Sequence, residues 1–379
     1  MHRTRLFSPL PLRGVTFRNR LWVAPMCQFS AADGIPDDWH LVHLGSFAKG
    51  KAGLVLTEAT GVSPEGRISP KCTGLWNDTQ LEAFARINRF VTEHGSIPGI
   101  QLAHAGRKAS AQVPWEGDGT VPISEGGWET VGPSATAWGD QAVPREMTVA
   151  DIAKVVTDFA DAAARALAAG FRVVEIHAAH GYLLHQFLSP ITNRRTDDYG
   201  GDPDRRARLL REIIAAVRAV WPEELPLLLR ISATDWAEDG WDVDDSVALI
   251  RSLEGSGIDL VDVSSGGLTP EQKITVGPGY QVPFARRIRN ETSLPVAAVG
   301  LITDSSQAEQ VLVDGAADAV FVGRNLLREP MWPLKAAKEL GVEDTLDWPT
   351  RTSRPLPRQH PLISWWARSL TWMGAHPVP

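Results

Sequence analysis

Eight short apolar runs recur along the chain: LWVAPM (21–26), GLVLTEA (53–59), IPGIQLA (97–103), RVVEIH (172–177), PLLLRI (226–231), IDLVDVS (258–264), LPVAAV (294–299) and DAVFVG (318–323). They are nearly continuous rather than alternating, the pattern of strands buried on both faces. Between most of them the period lengthens to that of a helix. In DTQLEAFARINRFVTEHG, Leu81, Phe84, Ile87 and Val91 fall on one stripe, and Gly95 follows as a stop. In TVADIAKVVTDFADAAARALAAG, Thr148 and Asp151 have the spacing of a capping box and Gly170 closes the segment. Eight buried strands alternating with helices predict an α/β fold, a (β/α)8 TIM barrel, over about residues 20–340. A doubly wound open sheet is the alternative. It normally carries G-x-G-x-x-G after its first strand, and no such motif follows LWVAPM.

Three pieces stand outside the repeat. PLPLRGVTFRNR, with Gly14 between two short alternating runs, predicts a β-hairpin plugging the N-terminal end of the barrel. The stretch from His104 to Glu146, after the third strand, is rich in Pro, Gly and Trp, as a lid or binding loop is. A tail, residues 345–379, follows the last helix and carries Trp365, Trp366 and Arg368. The whole reads as a single domain, 1–379.

Composition narrows the function classes. With 43% hydrophobic and 22% charged residues the chain has the balance of a soluble globular protein. A net charge of −7 argues against nucleic-acid or anionic-membrane binding. No apolar run reaches the length of a membrane span. The two cysteines, Cys27 and Cys72, cannot make a disulfide framework, and with no signal-peptide pattern at the start a cytoplasmic setting is expected.

Barrel enzymes carry their chemistry at the C-terminal ends of the strands. Read in order, those ends offer Cys27; Glu58 and Ala59; Gln101 and His104; His177, with His180 and Tyr182 just beyond; Arg230; Ser264 and Ser265; Gly300; and Gly323 with Arg324. No metal is expected from this set. His177 and His180 could be two zinc ligands, with Cys27, His104 or Glu175 as a third, but a catalytic zinc needs that third ligand beside them. Nucleophilic hydrolysis lacks its G-x-S-x-G elbow. Gly300 and Gly323 end the last two strands before helices, and Arg324 adds charge, a combination suited to a phosphate-bearing ligand.

The motifs APMCQF, TEATGVSPEGRI, GIQLAHAGRKAS, EIHAAHGYLLHQFLSPITNRRTDDYGG, LLLRISATDW and VFVGRNLL occur in that order from about residue 5 to 340. Together they resemble the old yellow enzyme family of flavin-dependent ene-reductases, in the bacterial class that includes the xenobiotic reductases. The resemblance implies an FMN-containing barrel that oxidises NADPH or NADH and reduces activated C=C bonds by a ping-pong mechanism. It implies that Ala24, Pro25, Met26 and Cys27 lie along the flavin, with Cys27 tuning its potential and also acting at the catalytic edge. Ala59 and Gln101 are implied flavin contacts, Arg230 is placed beside N1, and Gly300, Gly323 and Arg324 hold the phosphate. His177 and His180 are implied to grip the oxygen of an α,β-unsaturated carbonyl or a nitro group, and Tyr182 to protonate the α-carbon. Phe29 stands where much of the class has Tyr, which keeps an aromatic face toward substrate and removes a hydroxyl. Relatives bring a residue near the C-terminus into an active site, in some cases a neighbour's; Trp365 fits that position best, and a homodimer or homotetramer is expected. Larger flavin barrels of the same superfamily carry an iron–sulfur cysteine cluster, which two cysteines cannot supply.

Overall fold

The computed structural model describes residues 4–348. In it the eight apolar runs become eight strands: Leu21–Val23, Leu54–Gly61, Ile97–Ala103, Val173–Ala178, Leu227–Ser232, Leu260–Ser264, Val296–Ala298 and Ala319–Val322. Each runs parallel to its neighbours in sequence, and the eighth closes on the first, Val320 opposite Leu21 and Val322 opposite Val23. Apart from Ile97, every residue of the eight is buried, which is why the runs do not alternate. The first strand is shorter than its apolar run. Ala24 N–H still donates to Val322, but Pro25 has no N–H to continue the ladder.

The helices follow their predicted faces with one exchange. In Asp78–Glu93, Phe84, Ile87 and Val91 are buried, but Gln80 is buried where Leu81 is half-exposed. Gln80 is drawn inward by its bonds: its Oε1 accepts from the N–H groups of Trp76 and Asn77, and its Nε2 donates to Asp33 O. The helix Val149–Ala168 begins with the expected Thr148–Asp151 capping box, and Gly170 follows it at φ +82°.

The hairpin is formed by Leu10–Leu12 and Val15–Phe17, and it closes the N-terminal end. Gly14 N–H donates to Glu224 O, while Arg13 bonds Glu223 O and Asp259, all in the approaches to strands five and six. Phe17, fully buried, meets Trp22 at 4.6 Å between ring centroids, and Trp22 meets Phe321 at 5.4 Å.

The long segment after the third strand is ordered by short turns, Gly106–Lys108 and Ile123–Glu125, and by a pairing of Val131–Gly132 with Arg145–Glu146. Arg195 clamps it. Its guanidinium donates to Met147 O at 2.6 Å and Pro133 O at 3.2 Å and is held by Asp197. Gly200 permits the close approach, since a Cβ there would lie 2.3 Å from Arg195 O. The RTDDYGG motif is thus structural, a brace behind the site. The barrel and hairpin lie in one compact unit ending at Thr345; a second unit, Leu346–Pro379, has its residues from 349 onward outside the description. No described helix is long and apolar enough to cross a membrane.

Candidate active site

Strand register brings a polar set together inside the C-terminal half of the barrel. Gln101 stands opposite Glu175, His177 opposite Arg230, and Arg230 opposite Asp262. Gln101 Nε2 donates to Glu175 Oε1 at 2.7 Å. Arg230 Nε lies 3.1 Å from Asp262 Oδ2, an ion pair too far off line to be a hydrogen bond. Glu175 Oε2 and both Asp262 oxygens are buried without a protein donor. Desolvation raises both carboxyls above the usual range, and Asp262 adds to the rise of Glu175 while Arg230 opposes it.

Above this layer the chain turns sharply after strand four. His180 adopts φ +57°, and Gly181 at φ +72° passes so close to the loop after strand six that a Cβ would lie 2.1 Å from Gly267 O. The turn is held from several sides. Ser232 Oγ accepts from His180 N–H at 2.9 Å, and His185, paired with buried Asp235 at 2.8 Å, accepts from Gly181 N–H. The His177 and His180 rings are 5.1 Å apart, edge to face, and the Tyr182 ring is 5.1 Å from His177. Burial, then the charge of Arg230, pushes both imidazoles well below their ordinary pKa, so both are neutral at pH 7. His177 Nδ1 accepts from Ala179 N–H at 3.3 Å, which leaves Nε2 carrying the proton. His180 Nε2 is 2.7 Å from Ser264 Oγ.

Two polar residues of this site were not singled out by sequence reasoning. Lys108 donates to His180 O and Gly267 O and lies 4.8 Å from the Trp138 ring centroid and 5.1 Å from that of Tyr182. Desolvation, then Arg107, lowers its pKa to about 8. Burial, and then the thiols of Cys27 and Cys72, raises that of Tyr182. The second is Asp262, hidden inside an apolar run.

The remaining sequence candidates ring the same mouth. Ala24 and Ala59 are buried; Pro25, Met26, Cys27 and Phe29 are half-buried beyond strand one, and Phe29 meets Trp115 at 5.9 Å. A one-residue bulge in strand two sets Ala59 opposite Gln101. Gly300, Leu301, Thr303, Gly323, Arg324 and Asn325 line a cavity of about 170 Å³ between strands seven and eight. Gly300 has φ +114°, and a Cβ there would strike Gln281 Nε2 at 2.6 Å. Asn325 Nδ2 is buried in that lining without a protein acceptor, as a phosphate oxygen's donor would be. A small polar cavity, an orphaned amide and a nearby guanidinium suit the phosphate of FMN. His104 is buried apart from this set, its Nδ1 accepting from Gly106 N–H. Among the described residues, the one grouping of three potential metal-ligand atoms is Cys27, Glu58 and Cys72, which contains neither His177 nor His180. Trp365, Trp366 and Arg368 lie outside the described residues.

Comparison with known proteins agrees with the fold. The family model described as NADH:flavin oxidoreductase / NADH oxidase matches residues 5–343. An NADPH dehydrogenase of Geobacillus thermodenitrificans (strain NG80-2) is 50% identical over 343 residues, covering 90% of this chain and 96% of that protein. Morphinone reductase in complex with tetrahydroNAD superposes with a TM-score of 0.75 at 28% identity, covering 89% of this chain and 91% of that one. A 2-naphthoyl-CoA reductase complex superposes at 0.80 with 25% identity and 88% of this chain covered, but this chain spans about half, 52%, of its length. Barrel and relatives together define an FMN-dependent oxidoreductase that takes its electrons from NAD(P)H. The chain belongs to the NADH:flavin oxidoreductase / NADH oxidase family and is of the old yellow enzyme type.

Proposed function

We propose that this enzyme is an ene-reductase acting on electrophilic alkenes, α,β-unsaturated carbonyls first and nitro compounds second. The observation that carries the reading is the pair of neutral imidazoles held edge to face over Arg230, with a phenol beside them. Ala24, Pro25, Met26, Cys27 and Ala59 would lie along the FMN ring, Gln101 and Arg230 at its pyrimidine side, and Gly300, Gly323 and Arg324 at its phosphate. Bound there, FMN would supply the two-electron hydride chemistry that links NADPH or NADH to the β-carbon of the alkene.

The protein's part is electrostatic and positional. His177 offers Nε2–H to the substrate oxygen. Ser265 Oγ and Ser264 Oγ both reach Gln281 Oε1, at 2.7 and 3.3 Å, and His180 Nε2 lies closer to Ser264 Oγ, at 2.7 Å; in the tautomer of this proposal the Ser264 hydroxyl turns to His180 Nε2, and Nδ1–H of His180 is the free donor. Two such donors aimed at a developing anion are worth about 1.5–3 kcal/mol each, hence on the order of 10²–10⁴ in rate. Tyr182 delivers a proton to the α-carbon, and the Lys108 cation beside its ring eases the charge left on the phenol oxygen. Phe29 and Trp115 offer an aromatic wall without a hydroxyl. One mouth serves both reductant and acceptor, so the kinetics are ping-pong.

The test is cyclohexenone reduction by the FMN-loaded His177→Ala/His180→Ala double variant. Turnover should fall about 10²–10⁴-fold while anaerobic bleaching by NADPH persists; full cyclohexenone turnover would sink the assignment. In a cytoplasmic homodimer or homotetramer, the other part of this proposal, Trp365 contributes to the pocket. Removing residues 355–379 should then shift both sedimentation and substrate range.

A further inference from the structure

Cys27 and Cys72 are the only cysteines in the sequence, and 44 residues lie between them. The fold sets them side by side. Cys27 follows the first strand, and Cys72 sits in the loop between the second strand and the helix Asp78–Glu93. Ala31 N–H donates to Lys71 O and Gly74 N–H to Gly34 O, so the Cys72 segment is tied on both sides of that cysteine to the stretch that follows Cys27. The two sulfurs and a Glu58 carboxylate oxygen all lie within 4.8 Å of one another. Both thiols are free, Cys27 half-buried toward the mouth and Cys72 buried beneath it.

Nothing in the reaction above uses Cys72. Its surroundings nevertheless divide the labour of a thiol pair. The neighbouring thiol raises the pKa of Cys27 and lowers that of Cys72, so access favours Cys27 for the first encounter with an oxidant and acidity favours Cys72 as the nucleophile that resolves it. Arg67, stacked over the rings of Trp76 and Trp128 at 5.2 and 4.9 Å, adds a cation on the Cys72 side. Ser69 Oγ lies 3.5 Å from Cys72 Sγ. A disulfide needs sulfurs about 2.05 Å apart, so the two sulfurs, within 4.8 Å of each other, have to close the remaining gap.

We propose that Cys27 and Cys72 are a reversible redox pair, which hydroperoxides convert to an intramolecular disulfide that withdraws the Cys27 thiol from the barrel mouth. The accessible Cys27 sulfur attacks one peroxide oxygen; an S–O bond forms, the O–O bond breaks, and the other oxygen takes up the Cys27 thiol proton and leaves as alcohol, or as water from hydrogen peroxide. Cys72 sulfur then attacks the sulfenic sulfur, the S–S bond forms, and hydroxide departs with the Cys72 proton as water. In sum two thiols are oxidised by two electrons and one peroxide is reduced. A dithiol reverses it. The oxidant has a local source in chemistry this family is named for, since an oxidase reaction that reduces O₂ by two electrons yields hydrogen peroxide.

The experiment treats FMN-loaded full-length protein with stoichiometric hydrogen peroxide and measures intact mass, free thiols after denaturation, and the linked peptide. The expected result is loss of about 2 Da, disappearance of both thiols, a peptide joining residues 27 and 72, and full reversal by dithiothreitol. In Cys72→Ser, turnover without peroxide should be unchanged. Peroxide should now give a dimedone-trappable sulfenic acid on Cys27 that oxidises irreversibly. Four outcomes would overturn the proposal: both thiols intact, Cys27 over-oxidised with Cys72 untouched in the unaltered protein, a disulfide between two chains, or a zinc ion retained by the thiols and Glu58. The mass readout does not depend on which alkene the enzyme reduces.

Discussion

Asp259 and Asp262 are three residues apart, one on the approach to the sixth strand and one inside it, yet their surroundings are opposite. Asp259 accepts from Arg13, from Arg218 at 3.0 Å and from the Leu227 N–H at 2.8 Å. Asp262 is fully buried, neither of its oxygens accepts a hydrogen bond from the protein, and its one cation lies off line. The same contrast holds between the barrel's ends. At the hairpin end Arg20, Arg289 and Asp318 satisfy one another or nearby carbonyls. At the mouth Glu175 and Asp262 are buried with too few partners, the Asn325 amide nitrogen is buried with no acceptor, and half-buried Lys108 meets carbonyls and ring faces in place of a carboxylate. Three residues of strand, about 10 Å, separate a place where charge is resolved from one where it is held in readiness.

The sharpest way to break that contrast is to damage each end and ask what is lost. Phe17→Ala should cost about 3–5 kcal/mol in urea unfolding with FMN affinity unchanged. Arg230→Met strands Asp262 without its cation and should cost about 3–5 kcal/mol as well, and FMN affinity should fall at least about tenfold, roughly 1.4 kcal/mol. Equal flavin binding by both variants would erase the distinction.

The pH dependence of unfolding comes next. Burial lowers the pKa of His43 and His104 to about 4 and pushes His177 and His180 well down. Below pH 6.5 the unfolded chain takes up protons that the folded one refuses. Stability is therefore lost as pH falls toward 4, at about 1.4 kcal/mol per imidazole per pH unit. Glu175 acts on the other side. Its folded pKa is raised to about 8, so its contribution is complete below about 4.5 and is lost as pH rises through 8. A maximum near pH 6–7 is expected in thermal scans. Glu175→Gln should flatten the alkaline limb, and an unaltered limb would assign it elsewhere.

Smaller effects sharpen the picture. Arg13→Ala should cost about 1 kcal/mol and leave turnover alone. Ser264→Ala should release His180 from one tautomer, lowering enone turnover severalfold at a cost of about 0.5–1.5 kcal/mol in unfolding; a KM and kcat both unchanged would remove Ser264 from the account.

What the sequence disclosed and what it hid follow from range. Strands buried on two faces must be apolar throughout, so all eight were readable, as were the Thr148 cap and the Gly14 turn, which depend on residues a few positions apart. Leu81 and Gln80 changed places because a local periodicity cannot anticipate Gln80 reaching Asp33. At the mouth, His177, His180 and Tyr182 announced themselves by rarity and closeness in sequence. Lys108, Asp262 and the meeting of Cys27 with Cys72 arise from neighbouring strands and loops, and no short window encodes which side chains the barrel's stagger will bring face to face.

Arg195 has a practical corollary. It fastens the wall of the mouth through the main-chain oxygens of Pro133 and Met147, atoms every sequence possesses. Residues 112–127, lying between the third strand and those anchor points, can therefore be exchanged as a cassette, and an inherited preference for bulky or slender acceptors should travel with the transplanted piece while the electron-handling floor stays put.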